Sequence, residues 1–429
     1  MLFAAFLRSV VRSGSMVVVD SRRRQHRIGD GSPPSQVIRL TRPGLGTSLA
    51  LNPKLSLGEA YADGTLVIEQ GSPAGLLTLL ARNLGGLPPG HPLNWAAALP
   101  VWRPSIRISR ARRNVAHHYD LPPEFYDLFL DADRQYSCAY FANPAVTLEA
   151  AQAEKKRRIA AKLLLDRPGL RVLDIGSGWG GLALFLAGDA GADVTGITLS
   201  AEQHRESTER AANAGMADQV RFALRDYRQE TGTYDRIVSV GMFEHVGRAS
   251  YDAYFAGVRD LLHEDGVALL HSIGDSGTPG PINPFIQKHI FPGAAIPSLS
   301  EVLASVERSG LLVTDIEILH LHYAETLLRW RERFVANRAE AVRMQGERFF
   351  RMWEFYLAMC EVGFRERTSM VFQMQLTRRK GATPLARDYM TTRAHPAPAR
   401  AAAQQAMAHG SGPCPQLAPQ AAAEARPTP

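Results

Sequence analysis

A thiol, a carboxylate, two imidazoles and a phenol stand in the sequence where they could act on a common ligand. Glu244 and His245 follow an apolar run in Gly241-Met242-Phe243-Glu244-His245-Val246-Gly247, and His271 closes the next such run in Leu269-Leu270-His271-Ser272-Ile273-Gly274. Upstream, Gln135-Tyr136-Ser137-Cys138-Ala139-Tyr140-Phe141 carries the thiol among aromatics; downstream, His320-Leu321-His322-Tyr323 carries the phenol. Such groups hold small anions, move protons and stabilise developing charge. Each also has a plainer reading: a histidine at a strand end is often a hydrogen-bonded structural residue, and a lone cysteine among aromatics is usually packing. Cys138, Glu244 and His271 are spaced unlike any compact metal motif, so no metal is expected. The residues carry weight as a set.

The run Asp174-Ile175-Gly176-Ser177-Gly178-Trp179-Gly180-Gly181 follows an apolar strand and opens a helix over Leu182 to Ala187. Glycines there let backbone amides approach a ligand, and the helix start offers a positive end. Gly176, Gly178 and Gly181 also satisfy the dinucleotide fingerprint G-x-G-x-x-G. Asp174 decides against that reading: two residues before the first glycine, its carboxylate would face a pyrophosphate with like charge, whereas it suits the cationic amino-acid end of S-adenosylmethionine. The next strand ends in Thr198-Leu199-Ser200 rather than the acidic residue expected for a nicotinamide ribose. Thr198, Ser200 and Gln203 offer neutral hydrogen bonds instead, and Asp226-Tyr227 lies where a methyltransferase usually holds adenine.

These residues need strand ends to stand on. From about 150 to 275, helix and strand alternate, with strands apolar on both faces at 171–175, 193–197, 220–224, 236–240 and 266–270. The rhythm predicts an α/β fold with an open parallel sheet, helices on both sides and the ligand crevice beyond the strands' carboxyl ends. Residues 1–110 form a smaller N-terminal domain, with strand-like runs at 16–19, 48–51 and 65–68 between Gly, Pro and Asp turns. Residues 111–380 hold the catalytic part. Pro279 to Pro297 suits an ordered loop or lid. Residues 320–368 read as helical, with Phe349, Trp353, Tyr356, Met359, Cys360 and Phe364 on a packing stripe opposite Arg348, Arg351 and Glu361. Residues 381–429 form a tail, Ala- and Pro-rich beyond Arg393 and expected to be disordered.

With 429 residues, 45% of them hydrophobic and 21% charged, the chain has the make-up of an ordinary globular protein with a substantial core. No apolar stretch reaches the length of a membrane span. The Met1–Leu7 run lacks a basic region in front of it and reads as a docking or amphipathic segment. Three cysteines cannot build a disulfide framework, which fits a reduced cytoplasm. The net charge of +7 comes from clusters such as Arg22-Arg23-Arg24, Arg112-Arg113, Lys155-Lys156-Arg157-Arg158 and Arg378-Arg379-Lys380. Solvated faces are the plain reading of these clusters, and attraction to an anionic surface the sharper one.

Taken together, these motifs resemble the cyclopropane-fatty-acyl-phospholipid synthases and the related mycolic-acid cyclopropane synthases. The resemblance runs from about His117 to Arg378. It rests on His118-Tyr119-Asp120, Gln135 to Tyr140, Asp174 to Gly181, Thr198-Leu199-Ser200 with Gln203, Phe243 to Gly247, His271 to Gly274 and Ile290-Phe291-Pro292-Gly293, all in the family's order. Leu57-Gly58-Glu59-Ala60-Tyr61-Ala62-Asp63-Gly64 is similar to the signature of the extra N-terminal, lipid-binding domain of the phospholipid enzymes, which the mycolic enzymes lack. Three departures stand out: Pro122-Pro123 replaces a usual Gly-Asn, Ser177 replaces a frequent cysteine, and Pro284-Phe285 stands where a tryptophan is usual. The resemblance implies a class I methyltransferase, Rossmann-like doubly wound sheet with helical additions. It implies that Tyr136, Ser137, Asp174, Ile175, Gly176, Ser177, Gly178, Trp179, Gly180, Thr198, Leu199, Ser200, Gln203, Asp226, Tyr227 and Arg228 hold S-adenosylmethionine. It further implies that Cys138, Glu244, His271, Tyr323 and the Ile273 backbone hold a bicarbonate ion serving as general base. The expected partner is a phospholipid surface, met peripherally at the cytoplasmic face of the membrane. No nucleic acid is expected, and a second copy of the chain is a candidate partner.

Overall fold

The five runs read as apolar on both faces become five contiguous strands, out to one edge, of a seven-stranded sheet in a computed structural model, which describes residues 1–33, 35–85 and 121–392. The smaller domain contributes β1 (Ser15–Val19), β2 (Gln25–Gly29), β3 (Ser35–Leu40) and β4 (Leu66–Gln70), ordered β2-β1-β3-β4. The large sheet comprises β5 (Arg171–Ile175), β6 (Asp193–Thr198), β7 (Val220–Leu224), β8 (Tyr234–Val240), β9 (Leu262–Asp275), β10 (Leu312–Ile318) and β11 (Ser369–Thr377). Its order is β10-β11-β9-β8-β5-β6-β7. Strand order reverses between β5 and β8, and a doubly wound sheet opens its crevice at that point.

The sheet is mixed rather than wholly parallel. β11 inserts antiparallel between β9 and β10, and its nine residues are almost wholly buried, including Gln373 and Gln375. Helices Tyr251–Leu261 and Leu299–Ser309 cover one face, packing Phe255, Val258, Val302 and Val306 on it. Helices Leu148–Lys162 and Gly181–Ala190 cover the other with Ile159, Ala183 and Leu186.

The 48–51 run is the end of a helix, Leu45–Leu51, not a strand: Leu45 and Leu49, four apart, are its buried leucines. The segment 279–297 is not all loop, since Pro284–His289 forms a short helix capped by Asn283. The Leu2–Val10 helix docks within the small domain through Phe3, Ala4, Leu7 and Val10. His118-Tyr119-Asp120, Arg112-Arg113, the 110/111 boundary and the chain beyond Thr392 lie outside the described residues.

The Glu347–Glu366 helix is not one-sided. Glu361, placed by its spacing on the polar side, is buried and paired with Arg331. The helix is enclosed because the small domain covers what would otherwise be its outer face. Tyr61 donates to Glu354 Oε2 at 2.8 Å, Arg348 pairs with Asp63, and Arg82 pairs with Glu366. One apolar cluster accordingly runs from Leu7 and Met16 to Trp353 and Phe129, so the small domain has its own sheet but a shared core. The Gly58 segment is the seam. Glu59 accepts from Lys288 at 2.6 Å and meets His289 at 3.0 Å. A Cβ at Gly58 would stand 2.5 Å from the Phe285 ring. Gly58→Val is therefore expected to lower stability by roughly 1–3 kcal/mol through overpacking; an unchanged midpoint in urea unfolding would contradict this seam.

Candidate functional site

β5 leaves the sheet at Ile175, and Gly176, Gly178 and Gly180 turn it into the Gly181–Ala190 helix with φ of +84°, +56° and +82°. The Gly176 and Ser177 amides donate to the Ile197 carbonyl at 2.9 and 3.0 Å, tying the β5 and β6 ends together. A Cβ on Gly176 would lie 2.8 Å from Met242, so glycine here lets the turn close against the loop after β8. The resulting crevice is lined by Asp174 to Trp179, by Ile197, Thr198, Leu199 and Gln203 beyond β6, and by Arg225 to Arg228 beyond β7. Gly241, Met242, His245 and Val246 beyond β8, with Asp133 to Ser137 from upstream, complete it.

Most of the residues expected at the cofactor are therefore brought together, and several are already fixed by protein contacts. Thr198 Oγ1 bonds Gln203 Oε1 at 2.9 Å. Asp226 accepts from the Arg228 backbone at 3.0 Å and from its Nε and Nη2 at 2.7 Å each, which makes a rigid rim. Tyr227, its phenol pushed up to about 12 by burial, stands edge-on to Tyr254. Trp179 packs on Tyr126, and Tyr136 stacks on Trp330 while its hydroxyl meets Tyr356 at 3.0 Å. Ser200 and Gly180 are not among the lining residues. The Ser200 hydroxyl caps the Ala201–Asn213 helix, accepting from Gln203 N at 3.3 Å, and Gly180 lies against Phe222 and Ser207.

Asp174 has no such satisfaction. It is buried, its Oδ2 has no hydrogen-bond partner, and burial raises its pKa to about 7 against the opposing pull of Lys155. The lysine itself corrects the reading of 155–158 as a solvated cluster. Lys155 is 1% exposed and donates to Gln135 Oε1 at 2.6 Å and Ser137 Oγ at 2.9 Å. Burial lowers its pKa to about 8. Lys156 turns to Asp133, as does Arg210.

Cys138, Glu244, His271, Ile273 and Tyr323, the second group, are not among the residues lining this crevice, although Ser137 and His245, next to two of them in sequence, are. Glu244 lies on a one-turn helix after β8, and its Oε1 accepts from the Ile273 amide at 2.6 Å. Its backbone oxygen accepts from Ala295 N at 2.9 Å, which fastens the 290–297 loop to the site. Glu244 Oε2 is buried without a partner, and burial raises the carboxyl to about 7 against the Ile273 and Ser272 hydrogen bonds. His271, two residues before Ile273 on β9, is held neutral: burial first, then Lys155 and Lys162, lower it to about 3. His245 is also neutral, lowered to about 4 by burial, and stands edge-on to Phe291. The Cys138 thiol is buried and pushed up, and donates to the Ala139 carbonyl at 3.3 Å. The Ala139 amide donates to Thr326 Oγ1 at 3.0 Å, locking this segment onto the helix that carries Tyr323. Tyr323 packs against Phe364 and Trp330. The charge of Lys155 acts on Cys138, Asp174 and His271 alike, so one buried cation joins the cofactor side to the second group.

Sequence reasoning missed Asp133, Arg134, Lys155, Arg225 and Met242. Spacing would have found Lys155: Leu148, Ala151, Gln152, Lys155 and Ile159 fall on one helical face, all buried. No grouping of His, Cys, Asp and Glu among the described residues could hold a metal.

A reversed strand order, a glycine turn at the switch point and a buried carboxylate on the strand before it define an S-adenosylmethionine-dependent methyltransferase. The chain belongs, more narrowly, to the mycolic acid cyclopropane synthetase family, whose model matches residues 107–374. It is 37% identical over 354 residues to the cyclopropane-fatty-acyl-phospholipid synthase of Escherichia coli K12, covering 81% of this chain and 89% of that one. Among solved structures, the cyclopropane synthase MmaA2 of Mycobacterium tuberculosis superposes with a TM-score of 0.59 at 34% identity, over 62% of this chain and 97% of that one. The mycolic acid cyclopropane synthase CmaA1, complexed with SAH, gives a TM-score of 0.59 at 36% identity, with the same coverage.

The residues present fit the cofactor, because Asp174 offers an open, desolvated oxygen to its ammonium. A cation there favours the ionised carboxylate, so binding releases a proton wherever Asp174 is protonated in the free protein. Affinity for S-adenosylhomocysteine is expected to rise with pH through about 7, the value set by burial of Asp174, and to level off above it. Calorimetric titration should show this slope in the wild type and lose it in Asp174→Asn. A slope kept in the variant would assign the proton elsewhere.

Proposed function

We propose that this protein transfers a methylene unit from S-adenosylmethionine to the cis double bond of unsaturated phospholipid acyl chains, making a cyclopropane ring at the cytoplasmic face of the membrane. The observation that carries the reading is Glu244: a buried carboxyl poised near neutrality, one oxygen fixed by the Ile273 amide and the other open. An isolated alkene is a poor nucleophile, so its attack on the sulfonium methyl needs alignment and the exclusion of water. Methyl transfer leaves a positive carbon on the acyl chain, and ring closure then requires loss of a proton from the new methyl group. A thiol pushed up by burial and an imidazole lowered to about 3 are poor acceptors for that proton. Bound beside Cys138, Glu244, His271, Tyr323 and the Ile273 backbone, bicarbonate would supply a small general base. Protonated Glu244 can donate the O–H at its open oxygen to such an anion without repelling it, and neutral His271 and Tyr323 can donate as well.

The phospholipid acceptor is supported by the E. coli relative, whose aligned length extends past the matched family region. The small domain is built into the same core as the catalytic helices. Among the described residues no helix is long and apolar enough to cross a membrane, so the lipid would be met at its surface.

Expression in cells rich in monounsaturated lipid is expected to convert those acyl chains to species one methylene heavier that resist mild hydrogenation. Unchanged lipids, with folded and cofactor-binding protein, would overturn the proposal; a heavier product that takes up hydrogen would assign a methylated alkene instead. Glu244→Gln should keep cofactor affinity and lose turnover by about 100-fold or more. Equal turnover in the variant would remove Glu244 from the chemistry.

A further inference from the structure

Three strands place Glu317, Gln373 and His271 in one row. Glu317 on β10 is in register with Gln373 on β11, and Gln373 is in register with His271 on β9. Side chains directly opposite in antiparallel pairs share a face of the sheet. Lys162, the last residue of the Leu148–Lys162 helix, lies across this row and is 1% exposed. Its ammonium pairs with Glu317 and donates to Gln373 Oε1 at 2.6 Å. Gln375 Nε2 in turn donates to the Lys162 carbonyl at 2.6 Å, fixing the helix end on the sheet.

We propose that Lys162 and Gln373 are positioning residues that hold His271 in the single tautomer carrying its proton on Nε2. An ammonium is a donor only, so the Gln373 atom it meets must be the carbonyl oxygen. The orientation of that amide is therefore set by chemistry. Its NH2 group is left to face His271 Nδ1, which it meets at 3.0 Å. A neutral imidazole that accepts at Nδ1 bears its hydrogen at Nε2. Glu317 supplies the charge that lets Lys162 stay an ammonium in a dry site. Packing alone does not call for such a row, because aliphatic side chains would fill it without burying the charge of Lys162. What the row adds is a chain of donors with one direction, from Lys162 through Gln373 to the far nitrogen of His271. Under the function proposed above, on which this part rests, that Nε2–H is the donor His271 presents to the anion.

Ring-nitrogen NMR of the full chain, labelled with 15N-histidine and loaded with S-adenosylhomocysteine, reads the tautomer directly without any lipid. The His271 signals among the 13 histidines are identified by their loss in His271→Asn. The wild type is expected to show a neutral ring protonated at Nε2. In Gln373→Glu a carboxylate replaces the donor, so the ring should turn to the Nδ1–H tautomer. The variant's kcat should fall by roughly 10- to 100-fold with cofactor KM changed by less than about twofold. Lys162→Met, which frees the amide to rotate, should give a mixture of tautomers and serves if Gln373→Glu fails to fold. A wild-type ring protonated at Nδ1, or an imidazolium near neutral pH, would overturn the proposal. So would an unchanged Nε2–H ring in both variants. The expected spectra in a protein that leaves lipid unaltered would keep the relay and sink only the function.

Discussion

Dry ionisable groups must find their counter-charge in the protein or in a ligand, and the interior of this fold is organised around that constraint. Lys162 finds its counter-charge in Glu317, while Lys155 is held by the neutral Gln135 and Ser137 with the charges of Asp131 and Asp133 acting on it. Asp174 Oδ2 and Glu244 Oε2 have none within the protein, and both carboxyls are raised to about 7. Relative to a solvated side chain, ionised Glu244 is disfavoured by roughly 3 kcal/mol. The difference falls where bound molecules would supply what is missing, an ammonium for Asp174 and an anion able to share a proton for Glu244.

This arrangement needs walls that keep water out, and much of the chain serves them. β11 brings Gln373 beside His271 while burying Val371, Phe372 and Met374. The Glu347–Glu366 helix supplies Tyr356 to Tyr136 and Phe364 to Tyr323, and the small domain closes its outer side through Tyr61, Asp63 and Arg82. Glu59 reaches Lys288 and His289, immediately before Ile290 and Phe291. Phe291 stands against His245 and Tyr356, so the seam between domains continues into the wall of the site.

Much of this was legible in the sequence where one physical cause acts alone. Strands buried on both faces leave apolar runs, and β5, β6 and β8 lie within two residues of such runs, while β7 was found by the same pattern although it is a half-exposed edge strand. The glycine turn was legible because three positive-φ positions in one tight turn favour glycine. β10 and β11 were not, because β11 interleaves Gln373, Gln375 and Thr377 with its apolar residues, and those polar residues are buried only by partners distant in sequence. The strand expected at 48–51 failed for a similar reason: the run is short, and the Leu45 to Leu49 spacing that makes it helical begins before it. Lys155 and Lys162 were hidden by the charges around them, although both share the helical face of Leu148, Ala151 and Ile159. The polar face assigned to Glu361 was wrong because Arg331, 30 residues away on the His322–Ala336 helix, pairs with it, which no local pattern announces.

Glu244, buried with one carboxyl oxygen unpartnered, is expected to change protonation near neutrality. Infrared difference spectroscopy follows this through the stretch of a protonated carboxyl that is absent in Glu244→Gln. This band, in the cofactor-free protein, is expected to be lost with a midpoint near the value of about 7 that burial imposes. A Glu244 already fully ionised at about pH 5, as a solvated glutamate would largely be, would contradict it.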